Sequence, residues 1–231
     1  LILTFAEYVI RFNEHLHLEA ELPENIRVMN PFRSSDEVRE IASSFYRKFY
    51  SDQQPRSLIL GINPGRLGAG ATGIPFTDTK RLKSHCGLES TFNLHEPSSV
   101  FVYEVIDAYG NPKSFYRQFY ISSVCPLGFV RIDERGRETN YNYYDSAELT
   151  EAVLPFIIET LQTQIGFGIR QEKVFCMGTG KNYKFLKRLN DEHQLFGEVI
   201  PLEHPRYVMQ YKSKQKRHYI DKYVNALRII S

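Results

Sequence analysis

The sequence holds no tryptophan, only three cysteines and three methionines, and a net charge of just +2 across 231 residues. Cys86, Cys125 and Cys176 are odd in number, far apart and outside any CxxC pair. That spacing excludes a disulfide framework, a tetrahedral zinc site and an iron–sulfur cluster, each of which needs clustered ligands or pairs. No metal and no cofactor is expected on this basis. The cysteine usage fits a reducing, cytoplasmic setting. The apolar runs are far shorter than the roughly 20 residues of a membrane-spanning helix, so no membrane association is expected. The N-terminal stretch LILTFAEYVIRFNEHLHLEA carries charges throughout and lacks a small-residue cleavage site, so it does not read as a signal peptide. With so weak a net field, any attraction to a charged partner must come from a local patch.

What is abundant is aromatic: 15 Tyr and 16 Phe within a chain that is 42% hydrophobic and 24% charged. That composition supports a packed core, and the length suits one large domain. The expected domain is the whole chain, 1–231, with residues 1–56 as a helical extension packed on it. Phe5, Val9, Phe12 and Leu16 recur at helical spacing, and Val38, Ile41, Phe45 and Phe49 line a second helix whose expected capping box is Ser34 with Glu37. Residues 21–35 break the helical pattern with two prolines.

Beyond residue 56, strands and helices alternate. SLILGI (57–62), FYISSV (119–124), KVFCMG (173–178) and GEVIPLEHP (197–205) read as strands. Helix-length segments separate them at 98–110, 148–166 and 181–193, and a closing helix spans 215–230. Pro155 is expected to kink or restart the second of these. Residues 131–145 are polar and read as a surface excursion. The expected fold is α/β: a three-layer sandwich with a central, mainly parallel four-stranded sheet flanked by helices, plus the N-terminal helices. Ligands of such sheets sit at the carboxyl ends of the strands. Asn63, Ser122–Ser123 and His204 all reach that edge.

The stretch LILGINPGRLGAGATGIPF (58–76) runs from an apolar strand into a glycine-rich loop. It lacks the Lys-Ser/Thr of a phosphate-binding P-loop, and Pro64 interrupts any dinucleotide fingerprint. An amide, a histidine and a glycine-lined slot therefore converge with no metal set, no Ser-His-Asp order and no carboxylate pair expected nearby. Such a site is left with orienting a water and stabilising a leaving anion. From Arg206 to Arg228 seven Lys or Arg residues stand with one acid, Asp221, and with Tyr207, Tyr211, Tyr219 and Tyr223 interleaved. Taken alone, this is either a solvated helix face or a footprint for a phosphate backbone.

The segment GINPGRLGAGATGIPF resembles the first motif of the uracil-DNA glycosylase superfamily, in its single-strand-selective monofunctional branch. FYISSVCPL (119–127) resembles that branch's middle strand, and EHPRY (203–207) its His-Pro motif. Order and spacing agree from about Leu58 to Leu227. The resemblance implies a monofunctional DNA glycosylase, without a lyase step, that hydrolyses the N-glycosidic bond of a damaged base in base excision repair and leaves an abasic site. It implies that Asn63 holds the attacking water and that His204 donates to the base carbonyl. Ile62 and Gly65 would line the pocket, and Phe76 would stack on a base flipped out of the helix. Arg206, Tyr207, Lys212 and Lys214 would contact DNA, the expected partner, with the protein working as a monomer. One departure stands out. The family's base-reading asparagine is replaced here by Ser123, which brings xanthine and hypoxanthine beside uracil and hydroxymethyluracil as candidate lesions. It also leaves open a catalytically weak or silent DNA-binding protein of the same fold. A third, more distant reading is a small-molecule nucleotide-binding enzyme.

Overall fold

Leu58, Ile59 and Leu60 are buried on both faces of a strand whose every residue is inside the protein. A strand covered on both sides is the mark of a parallel sheet flanked by helices. The structure, a computed structural model, describes residues 2–229. The elements run α1 (Phe5–His15), β1 (Ile26–Met29), α2 (Pro31–Ser34), α3 (Asp36–Tyr50), β2 (Arg56–Gly61), α4 (Ala69–Thr72), α5 (Thr79–Cys86), α6 (Pro97–Tyr109), α7 (Pro112–Gln118) and β3 (Phe119–Ser123). They continue as β4 (Gly128–Ile132), β5 (Glu138–Tyr141), α8 (Ala147–Ile165), β6 (Ile169–Met177), α9 (Lys181–His193), β7 (Glu198–Leu202), α10 (Pro205–Tyr211), a 3₁₀ turn (Ser213–Gln215) and α11 (Lys216–Arg228).

The central sheet is parallel throughout, in the order β3-β2-β6-β7. Its four strands are the four expected from the sequence. Register places Gly61 opposite Ser123, Leu60 opposite Cys176, and Met177 opposite Leu202. The strands thus end level, and the loops that follow them open on one edge. Asn182, almost wholly buried at the start of α9, fastens that edge: its amide donates to the carbonyls of Gly61 (3.4 Å) and Met177 (3.1 Å).

A second, antiparallel sheet, β1-β4-β5, was not expected. Residues 131–145 are not a loose excursion. They carry the end of β4, a turn tied by the Asp133 carboxylate to the amides of Arg135 and Arg137, and β5. β1 comes from the proline-flanked segment and pairs Met29 with Gly128. Strands of four or five residues with polar exposed faces leave little periodicity to read.

The N-terminal segment shares the core. α1 starts at a capping box in which the Thr4 hydroxyl accepts from the Glu7 amide and the Glu7 carboxylate accepts from the Thr4 amide. Phe5 packs on Tyr50, Tyr120 and Phe167. α3 is capped by Ser35, one residue later than expected; Glu37 instead reaches across to the Thr91 amide and hydroxyl, both at 2.7 Å. Arg56, fully buried, holds these pieces together. It pairs with Asp52 (2.9 Å), donates to the Tyr116 carbonyl (2.8 Å) and lies against both the Phe5 and Tyr50 rings. A buried charge survives only when so completely partnered.

α8 runs unbroken through Pro155, which lies on the exposed face, where the carbonyl left without an intrahelical donor is open to solvent. The closing helix ends at Arg228 rather than 230, and residue 230 lies outside the described residues. Among the described residues, no helix is long and apolar enough to cross a membrane.

Candidate active site

The loop after β2 is stitched to its neighbours before Asn63 is reached. The Cys125 amide donates to the Ile62 carbonyl at 3.1 Å. Asn63 follows, with its side chain held by backbone alone. Its Oδ1 accepts from the Tyr143 amide (3.1 Å), and its Nδ2 donates to the Tyr141 carbonyl (3.3 Å) and, more weakly, to the Pro64 carbonyl (3.4 Å). Turning the amide over would set NH₂ against N–H, so the oxygen has a fixed direction. One of its two lone pairs is left for a further donor. Tyr143 is itself immobilised: fully buried, it donates its hydroxyl to Asn182 Oδ1 at 2.7 Å.

Two glycines at this edge serve close backbone approach. A Cβ on Gly128 would lie 2.3 Å from the Pro64 carbonyl oxygen, and one on Gly70 would lie 2.7 Å from that of Gly65. The loop bearing Asn63 therefore rests on β4 backbone to backbone. Gly128→Ala is expected to destabilise the protein by about 2–3 kcal/mol, because backbone cannot step aside as a side chain can. A thermal or urea melt checks this, and an unchanged midpoint would contradict the close packing.

Phe76 ends the glycine-rich stretch with φ +51°, an uncommon conformation for a bulky residue. Its ring lies 3.2 Å from where a Gly61 Cβ would be, and its centroid is 5.9 Å from that of His204. His204 caps α10: its Nδ1 accepts from the Arg206 amide at 3.1 Å. Since Nδ1 is the acceptor, the imidazole proton resides on Nε2. Burial, with a further push from the Arg206 guanidinium, lowers the pKa from 6.5 to about 4. The ring is therefore neutral at physiological pH and keeps one N–H to give.

These groups surround a cavity of about 450 Å³, within the roughly 300–1,000 Å³ usual for small-molecule sites. Ile62, Asn63, Gly65, Phe76, Ser123, His204 and Arg206 all line it, as the sequence placed them at one edge. Gly65 has room: a Cβ there would meet only Asn140, at 3.6 Å. Ser122 is not among the walls. Tyr207, Lys212 and Lys214 are not either; they stand on or just beyond α10, outside the cavity.

Sequence reading missed four contributors. Asn140 and Asn142 reach the cavity from β5 and the turn after it, a segment read only as polar surface. Leu67, a cavity wall, is also one of the most exposed large apolar residues of the described chain. Glu96 comes from the loop before α6. The expectation of no carboxylate pair near these loops is thereby overturned, because Asp78 lies next to Glu96 and accepts from its amide at 3.1 Å. Nothing in the local sequence marks either acid. They meet because α5 and α6 both begin at this edge.

The basic tail divides in two. Lys216 pairs with Glu104 (2.6 Å), Lys222 with Glu203 (2.7 Å) and Arg217 with Asp221 (3.1 Å), while Tyr223 is buried and donates to the Glu203 carbonyl. Lys216, Lys222 and Tyr223 tie α11 to the rest of the fold, while the Arg217–Asp221 pair lies within the helix. Tyr207 and Tyr211 stay exposed and lie against each other at 5.6 Å.

The three cysteines are all buried, and burial raises their thiols to about 11 for Cys86 and about 12 for Cys125 and Cys176. None is poised as a nucleophile. Among the described residues no group of three or more His, Cys, Asp or Glu side chains could hold a metal ion.

An Asn-Pro-Gly loop and a neutral histidine thus face one cavity at the carboxyl edge of a parallel sheet, the arrangement that the resemblance to uracil-DNA glycosylases implies. The family model described as "Uracil DNA glycosylase superfamily" matches residues 47–228, and the chain belongs to that superfamily. Among solved structures, the wild-type SMUG2 of Pedobacter heparinus is 52% identical to it, with 99% of each chain covered and a TM-score of 0.97. That likeness and the motifs agree on the single-strand-selective monofunctional branch. Comparison with curated proteins finds no match.

Proposed function

We propose that this chain is a monofunctional DNA glycosylase that hydrolyses the N-glycosidic bond of uracil or another deaminated base, leaving an abasic site for base excision repair. The observation that carries the reading is the pairing, on one cavity, of an orientation-locked Asn63 amide with a neutral, Nε2-protonated His204.

The bond breaks with positive charge growing on the sugar and negative charge on the departing base. Asn63 Oδ1 accepts from a water and holds it on the far face of the sugar. An amide is a weak base, but an electrophile already cationic needs orientation more than deprotonation. His204 gives its Nε2–H to the base carbonyl, where the anion develops. A neutral donor suits this task because it needs no counter-charge in a buried site. Phe76 stacks on the flipped base, Ile62 and Gly65 shape the slot, and Ser123 meets the base edge. Arg206, Lys212 and Lys214 attract phosphates, and Tyr207 is placed to stack on a base or sugar. Residues 1–56 act as part of the same unit, through Arg56 and the aromatic cluster around Phe5.

Alkali cleavage of single- and double-stranded oligonucleotides, each with one uracil, hydroxymethyluracil, xanthine or hypoxanthine, tests the reading. Cleavage only after alkali supports a monofunctional glycosylase. One observation favours a second reading, a DNA-binding protein with little turnover: Ser123 offers one short hydroxyl where the family carries an asparagine. Binding without base release on every lesion would select it. Ser123→Asn is expected to raise the preference for uracil over xanthine by about tenfold, a gain of one well-placed hydrogen bond. An unchanged lesion profile would remove Ser123 from base reading.

A further inference from the structure

Glu96 is a carboxyl in an unusual place, at the start of α6 and on the wall of the cavity. It occupies the N-cap position of α6, where a side-chain oxygen ordinarily accepts from the first helical amides, yet it makes no such bond. Its backbone is clamped instead. The Asp78 carboxylate accepts from its amide (3.1 Å), and the Ser99 hydroxyl and amide donate to its carbonyl (2.7 and 3.0 Å). The side chain is turned onto the glycine-rich loop. A Cβ on Gly68 would lie 2.6 Å from Oε1 and 2.9 Å from Oε2, so the carboxyl is seated directly on this glycine. It lines the same cavity as Asn63, Phe76, Ser123 and His204. Its Oε2 is buried without a hydrogen-bond partner.

A buried carboxylate oxygen with no donor is costly, and the group answers by keeping its proton. Burial, helped by the neighbouring Asp78 charge, raises the Glu96 pKa from 4.5 to about 7. The groups around it do not offset this. His95 and Arg81 are engaged with Asp78, Arg206 and the neutral His204 lie on α10, and α4 carries no titratable residue. A carboxylic acid offers a donor and an acceptor together, as an amide does, whereas a carboxylate offers acceptors only.

We propose that Glu96 is a base-reading residue: its carboxyl, in the acid form, hydrogen-bonds the polar edge of the flipped base and supplies the donor–acceptor pair that Ser123 does not. The class of ligand is an oxo-base, a pyrimidine or purine bearing a ring carbonyl. Ionisation would replace the donor with a negative charge facing that carbonyl and the developing anion. Base release should therefore fall as pH rises through about 7, and rise again as the acid form returns.

The inference rests on the glycosylase reading, and the experiment separates the two. Single-turnover base release is measured for wild type, E96A and E96Q on the lesion that wild type processes best, between about pH 5.5 and 8.5, with melting curves to confirm folding. E96A is expected to lose at least about tenfold at the acid end. E96Q keeps donor and acceptor but does not titrate, so it should recover most of that loss and lack the alkaline decline. Wild-type rates and an unchanged pH profile in E96A would overturn the role of Glu96 and leave the glycosylase reading standing. E96Q as impaired as E96A would overturn it as well, since the carboxylate would then be the acting form. No base release from wild type on any lesion would overturn the glycosylase reading itself, and this inference with it.

Discussion

Replacing Asn63 with alanine is expected to lower base release by at least about 10²–10³-fold while DNA affinity stays within a few-fold of wild type. The size follows from how the amide is held. Its oxygen takes the Tyr143 amide on one lone pair and presents the other to the cavity, and its NH₂ is spent on the Tyr141 and Pro64 carbonyls. No other group is bonded into that position, so truncation removes the water's anchor outright. Affinity is expected to be spared because the residues proposed to meet phosphate are other side chains, Arg206 on α10 and Lys212 and Lys214 outside the cavity. Truncation also leaves the Tyr143 N–H and the Tyr141 carbonyl without this partner, which costs about 1–3 kcal/mol of stability. A melting curve must therefore accompany the single-turnover rate. Retention of more than a few per cent of wild-type activity in a folded Asn63→Ala protein would contradict the assigned role.

His204→Ala should slow base release by about 10²–10³-fold, the usual loss for one donor to a developing anion. The wild-type rate should also show no limb from His204 above about pH 6, because this imidazole already lacks its second proton there. Stability carries the matching signature. The folded pKa of about 4 lies below the ordinary 6.5, so the folded protein binds fewer protons at this site than the unfolded chain. The contribution is fully present above about 6.5 and is lost as pH falls towards 4. His204→Ala should accordingly flatten the acid side of the stability curve, measured by urea midpoints across that range. A slope identical to wild type would mean that the ring is not held neutral.

The central sheet was legible because β2 and β3 are buried on both faces, β6 ends in a buried apolar run, and the strands are bounded by glycine, Cys-Pro or His-Pro. The small second sheet was not. Glu138, Thr139, Asn140 and Tyr141 read as polar surface, and only pairing with Phe129–Ile132 makes them a strand. That omission carried through to the site, since the turn after β5 is what grips Asn63. Asn63 and His204 announce themselves two residues beyond the ends of β2 and β7, and Phe76 through the motif that closes the glycine-rich stretch. Glu96 and Asp78 do not, because their proximity arises from two helices starting at one edge rather than from spacing along the chain. In the basic tail, spacing along the chain does not show that Lys216 and Lys222 are tied to Glu104 and Glu203 outside their helix.

The central claim is that Asn63 and His204 together excise a base by hydrolysis. The most direct test is a single-turnover reaction on oligonucleotides holding one uracil, xanthine or hypoxanthine, run for wild type, Asn63→Ala and His204→Ala, with the products split between alkali-treated and untreated gels. The account predicts an abasic site from wild type on at least one lesion, strand cleavage only after alkali, and near-complete loss in both variants. Base release that survives in both folded variants, or no release by wild type on any lesion despite DNA binding, would contradict it.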